Sequence, residues 1–280
     1  MRKLLSANFF RLWKSRVFWL LEGGCFAIGA FVYALVAYNT RNLGQGWLAD
    51  NAQGYFYLPI LFLPFFCAIF TCFFIGVEYS DGVLRNKLTV GHSRTEIYLS
   101  FLVTSVAAMF LFVLAYLLAV LLVGPPLSGK AVLTQVQAQP WRLLGCALFL
   151  TEYAALFTML AMLDSYKARN IVISLLAAGV LLLGGIIAYG KLTATEFIQQ
   201  VIIQPDGSFL LEDGMPDPNY LTGSIRTVFQ WITALLPSGS IMLSLDKRLG
   251  FDWRNPLCAV AVTLLLTVCG IQIFRRKDIK

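Results

Sequence analysis

Charged side chains are scarce in this sequence, at 13% of its 280 residues, against about 25% in a soluble globular protein. So few charges cannot coat a surface in water, while 58% of the residues are hydrophobic and the mean hydropathy is +0.73. Soluble, disordered and collagen-like classes fall together on that ground. Histidine occurs once, as His92, which excludes a metalloprotease of the H-E-x-x-H kind and leaves no intramembrane pair of serine and histidine. Cys25, Cys67, Cys72, Cys146, Cys258 and Cys269 all fall inside apolar runs, and none forms a C-x-x-C pair. They read as small buried hydrophobes rather than as a metal or redox site.

The sequence is rich in long apolar runs. Windows 17–38, 57–77, 97–123, 143–163, 171–189 and 256–274 each match the roughly 20 residues that a helix needs to cross a bilayer core. Strands of a membrane barrel would be half as long and would alternate. The expected fold is an all-α membrane protein, with six transmembrane helices in one transmembrane domain over residues 1–280. The first window follows five basic residues, as a signal peptide would, but its apolar run is too long and no small-residue cleavage site follows. It is expected to be retained.

Basic residues set the orientation. Segments 1–16, 78–96, 164–170 and 275–280 hold 14 Lys and Arg, and the opposite short segments 39–56 and 124–142 hold three. The positive-inside rule then puts both termini in the cytoplasm. The net charge of +7 collects at span ends, facing anionic headgroups, and no basic stripe interleaved with aromatics suggests nucleic acid.

Segment 190–255 is the long outer loop. Pro205-Asp206-Gly207, Asp213-Gly214 and Pro216-Asp217-Pro218 predict an exposed loop over 204–220. Residues 225–245 are apolar but interrupted at Pro237 to Ser240, and predict an interfacial or re-entrant helix pair. Residues 4–16 predict an interfacial helix with Leu5, Phe9, Leu12 and Trp13 on one face and Lys3, Arg11 and Lys14 on the other. Pro59 and Pro64 predict kinks in the second span. Gly23, Gly24, Gly29, Gly179, Gly184 and Gly185 predict faces for close helix approach.

Residues 124–131, GPPLSGKA, approach a phosphate-binding loop but fail it. Ala131 replaces the hydroxyl that would hold Mg²⁺, two prolines remove backbone donors, and a membrane helix precedes the segment where a strand is needed. Glu22 and Glu152 lie within spans, where a bare carboxylate costs about 2.5–3.5 kcal/mol. Two readings stand: a carboxylate on a translocation path, or a protonated, hydrogen-bonded residue that fixes packing.

The segment 78–99, EYSDGVLRNKLTVGHSRTEIYL, is too long for a tight turn. Val83, Leu84, Leu88 and Val90 alternate with Arg85, Asn86 and Lys87 between Asp81-Gly82 and Gly91, which predicts a short amphipathic helix. A helix that small needs a surface to dock on, either lipid headgroups or a cytosolic protein. Ser93 and Glu96 form a capping-box pattern opening the third span.

This segment, the basic start RKLLSANFFRLWKSRVFW, the outer PNYLTGSIRTVFQWITALLPSG and the ending FRRKDIK resemble the permease subunits of ABC-2 type ATP-binding-cassette transporters, especially those of bacitracin and lantibiotic resistance exporters. The resemblance implies that Val83 to Val90, including Leu84, Lys87 and Leu88, form a coupling helix seated on a nucleotide-binding ATPase subunit, with Glu78, Arg85 and Arg94 as flanking polar contacts. It implies a second permease chain, identical or different, with the substrate path between two six-span units. It also implies that ATP and Mg²⁺ belong to the partner, that this chain is not itself an enzyme, and that it resides in the bacterial cytoplasmic membrane. The expected function is export of an amphipathic peptide or hydrophobic compound, as in antimicrobial-peptide resistance. An ion-coupled secondary transporter using Glu22 and Glu152 and a non-transporting sensor or immunity protein are the rivals.

Overall fold

The computed structural model describes residues 1–43, 61–128, 140–203, 209–245 and 252–277. Among them, α1 (Arg2–Lys14) lies ahead of the first long helix, α2 (Arg16–Leu43). The break between them is Ser15, whose backbone is extended (ψ 117°). Its hydroxyl accepts the Phe18 N–H at 3.3 Å, satisfying one of the unpaired donors at the start of α2.

Next come α3 (Leu63–Ser80), the short α4 (Val83–Thr89) and the long α5 (Arg94–Ser128). Pro64 lies in the first turn of α3, where its missing N–H costs nothing. It therefore starts the helix, and the expected kink there is corrected; Pro59 lies outside the described residues. The expected capping box opens α5: Ser93 N–H donates to Glu96 Oε2 at 3.3 Å and Glu96 N–H to Ser93 Oγ at 3.2 Å. Residues 124–128 of the rejected GPPLSGKA segment are the last residues of α5, and 129–131 lie outside the described residues.

A tight connection joins α6 (Pro140–Leu163) to α7 (Lys167–Thr193). Asp164 Oδ1 accepts the N–H groups of Ser165 and Tyr166 at 2.7 and 3.2 Å, and Arg169 pairs with the same carboxylate. Beyond α7 the chain forms an antiparallel hairpin of β1 (Phe197–Ile203) and β2 (Phe209–Pro216), with Val201 opposite Leu211. This corrects the expected loop over 209–216. Turn formers dominated that reading, but Val201, Ile202 and Ile203 oppose Leu211, Leu210 and Phe209, side chains that favour a pleated surface.

The interrupted apolar stretch over 225–245 is two helices, α8 (Gly223–Leu235) and α9 (Pro237–Leu245), followed by α10 (Arg254–Arg276). The break is Leu236, extended at ψ 114°. The residue before a proline is pushed out of the helical region, so Pro237 ends one helix and begins the next.

Six of these helices, α2, α3, α5, α6, α7 and α10, are long and apolar enough to span a membrane. The most apolar windows of α3 and α6 are 61% buried, against 22% for α7 and α10, so α3 and α6 are central and α7 and α10 peripheral. Helix α2 packs on α5, α10 on α6, and α3 against both α6 and α7. Phe18, Phe70 and Phe112 interlock α2, α3 and α5, with centroids 5.7 to 6.0 Å apart. At Gly29 the backbones of α2 and α5 approach so closely that a Cβ there would lie 2.8 Å from that of Ala119. Met1, just ahead of α1, and the last turn of α10 both meet the start of α5. We call that end of the bundle the base.

Candidate functional site

The base is organised around Glu78, in the last turn of α3. Two glycines then shape the connection: Gly82 at φ +67° turns the chain out of α3, and Gly91 at φ +97° turns it out of α4. Only glycine adopts these values without strain. Between them, Leu84 points inward and is 1% exposed, with Leu88 packed beside it.

Lys87 also points inward. Its ammonium donates to both oxygens of Glu78 at 2.6 and 2.7 Å and to Asn8 Oδ1 of α1 at 3.2 Å. Asn8 donates onward to Ser100 Oγ of α5 at 3.1 Å. Arg11 of α1 is ion-paired with the same Glu78 carboxylate and donates to the Phe74 carbonyl, with its guanidinium 4.0 Å from the Phe74 ring. One carboxylate thus ties α1, α3 and α4 together. Burial lowers the Arg11 pKa to about 10, leaving it a cation at neutral pH. Burial and the Arg11 charge pull Lys87 down to about 8, while contact with Glu78 favours its charged form.

A second knot lies beside the first. Arg94 donates to the Phe274 carbonyl at 2.8 Å and to that of Lys277. The Lys277 ammonium donates to Tyr79 Oη at 3.1 Å and to the Met162 carbonyl at 3.0 Å. The end of α10 is thereby fastened to α3, α5 and α6.

These bonds divide the sequence-predicted residues in two. Glu78, Leu84, Lys87, Leu88 and Arg94 face the chain itself. Val83, Arg85, Asn86, Thr89 and Val90 face outward, with Val90 78% exposed. Helix α4 is therefore fastened on one side and open on the other. Sequence reasoning missed Asn8, Arg11, Tyr79 and Lys277. The signal for Arg11 was an arginine on a face otherwise shared with Leu4, Asn8 and Leu12, the buried side of α1. The predicted face of Leu5, Phe9, Leu12 and Trp13 is corrected accordingly, since Leu12 is buried with Leu4 and Asn8 whereas Trp13 points outward.

Glu152 lies far from this network. It is 3% exposed, within α6, and its Oε2 has no hydrogen-bond partner among the described residues. Glu22, half-buried in α2, likewise has an unpartnered Oε2. The two carboxyls are not brought together: α2 packs chiefly on α5, and α6 chiefly on α10. Among the described residues no group of three His, Cys, Asp or Glu side chains is placed to hold a metal ion.

No curated protein and no solved structure matches the chain. The family model described as ABC-2 family transporter protein matches residues 4–185, from the buried face of α1 through α2, α3, α4, α5 and α6 and most of α7. The chain belongs to the ABC-2 transporter family.

Proposed function

We propose that this chain is the permease of an ATP-binding-cassette exporter whose ATPase subunit seats on the outward face of α4. Family membership supports a permease component with an ATPase in a partner. The observation that carries the finer reading is the two-sidedness of α4. Leu84 and Lys87 fix it to the spanning bundle, so a push on the exposed Val83, Arg85, Asn86 and Val90 reaches α3 through Glu78 and α1 through Arg11 and Asn8. A loosely attached helix of seven residues would yield and transmit nothing.

In this reading the base faces the cytoplasm of a bacterial cell, ATP and Mg²⁺ are held by the partner, and two permease chains form the path. The cargo is an amphipathic peptide or hydrophobic compound, as in antimicrobial-peptide resistance. The resemblance of the sequence supports that cargo. So does α8 at the opposite end, where Ile225, Val228, Trp231, Ile232 and Leu235 leave an apolar stripe exposed, suited to a molecule that stays in contact with the bilayer.

Gentle purification of the tagged chain from native membranes is expected to bring down an ATPase in fixed ratio. The double variant Val83→Asp, Val90→Asp is expected to release it and abolish ATP-driven transport in vesicles, with the melting temperature unchanged. A complex that survives both substitutions would remove α4 as the docking surface. A chain that purifies alone yet carries out pH-gradient-driven flux would move the reading to the ion-coupled alternative.

A further inference from the structure

We propose that the cleft between α1 and α3 is a binding site for an anionic phospholipid of the leaflet at the base. The cleft has a volume of about 250 Å³. Phe70, Phe73, Phe74 and Val77, from the last turns of α3, form its apolar floor, and Arg11 and Lys14 of α1 form its lip. Among the described residues no acidic side chain lines it. The nearest carboxylate in the network, Glu78, is turned inward between Arg11 and Lys87, with its side chain 2% exposed.

Depth supports the same occupant. Trp13 and Trp19 flank the bend between α1 and α2, each about half exposed, with Trp19 Nε1 donating to the Trp13 carbonyl at 2.8 Å. Tryptophans of this kind settle at the headgroup level of a bilayer. The cleft therefore opens where phosphate and acyl chain meet. A phosphate on the lip with a chain along the phenylalanines satisfies both halves at once. A free phosphate would leave the floor unused, and a zwitterionic lipid would leave the excess positive charge unmatched. Because Arg11 also holds Glu78, the bound headgroup shares a residue with the network that seats α4. The site itself requires only that the chain be in a membrane.

The full-length chain in mild detergent, titrated with phosphatidylglycerol or with phosphatidylcholine of matched chains and followed by native mass spectrometry, tests this directly. The wild type is expected to retain phosphatidylglycerol in clear preference. Lys14→Ala, at a side chain exposed apart from its contact with the Phe10 ring at 4.4 Å, is expected to weaken that lipid roughly fivefold and leave phosphatidylcholine unchanged. Val77→Trp fills the floor and is expected to weaken both. Equal binding of the two lipids, a preference that survives Lys14→Ala, or displacement of the lipid by an equal concentration of inorganic phosphate would each overturn the proposal. So would an interchain disulfide through Val77→Cys in native membranes, which would give the cleft to a second copy.

Discussion

At the base, elements far apart in sequence are joined through side-chain charge: Glu78 of α3 holds Arg11 of α1 and Lys87 of α4, and Arg94 and Lys277 fasten the end of α10. Toward the opposite end, α7 meets α9 with almost nothing between the backbones. A Cβ on Gly185 would lie 2.2 Å from Ser238 Oγ and 2.6 Å from the Gly239 nitrogen, and Ser238 Oγ donates to the Leu181 carbonyl at 2.5 Å. The base lies where water and headgroups can accept charge, so ionic links can form and rearrange there. The other contact lies among apolar helices, where close approach of small residues is the available adhesive. Directional ionic bonds leave the base able to rearrange, whereas an interlock of small residues holds the other end in one shape.

The largest effect is expected from removing the shared carboxylate. Glu78→Ala leaves two cations facing each other with no anion between them. It is expected to cost about 3 kcal/mol or more, read as a fall in melting temperature, with faster proteolysis in α1 and α4. Gly185→Val attacks the other end by sterics alone and is expected to cost about 1–3 kcal/mol. The two sites share no partner, so the double variant is expected to be additive within about 0.5 kcal/mol. A strong coupling between them would show that the ends are not fastened independently.

Between the two ends, Glu152 tests whether a buried carboxyl inside one chain serves transport. Glu152→Gln keeps the shape and is expected to leave stability within about 1 kcal/mol while lowering flux. Because the side chain is enclosed by helices of its own chain, a path through it requires α6 and its neighbours to part. Full transport by the variant would assign the carboxyl to packing.

Much of the frame was legible in the sequence because hydrophobic length is a local property. The six spans, the Ser93 and Glu96 cap and the short α4 all follow from runs and spacings within single segments. The predicted glycine faces met partners at Gly29 and Gly185 but not at Gly23 or Gly179, where nothing among the described residues lies within 4 Å of an added Cβ. Composition marks where close approach is possible, and only the fold says which helix arrives. The candidate site divides the same way. That α4 is amphipathic was visible, but Lys87 counted as part of its polar face. Glu78 is nine residues earlier and Asn8 is 79 earlier, and a lysine turned inward onto both is a tertiary fact. The hairpin escaped for a different reason: the turn-forming residues of 204–220 outweighed the β-branched run just before them.

The mildest perturbation is a change of pH at the second knot. Burial lowers the Lys277 pKa to about 8, partly offset by Asp164, whereas an undocked lysine titrates near 10.4. Between those values the undocked tail binds more protons than the docked one, so docking strengthens as pH rises from about 8 toward 10 and levels off at its weakest below 8. The neutral amine still has two N–H groups for Tyr79 Oη and the Met162 carbonyl, so both hydrogen bonds survive deprotonation. Hydrogen exchange at Phe274 to Lys277, corrected for the intrinsic rate, is expected to show protection growing across that interval. Lys277→Met, which removes the titrating group, is expected to flatten the profile. Glu78→Ala is expected to leave the onset near 8, because no charged group of the first knot pairs with the Lys277 ammonium, whose partners are Tyr79 and the Met162 carbonyl. An onset that moved with Glu78 would make the base one charge network rather than two.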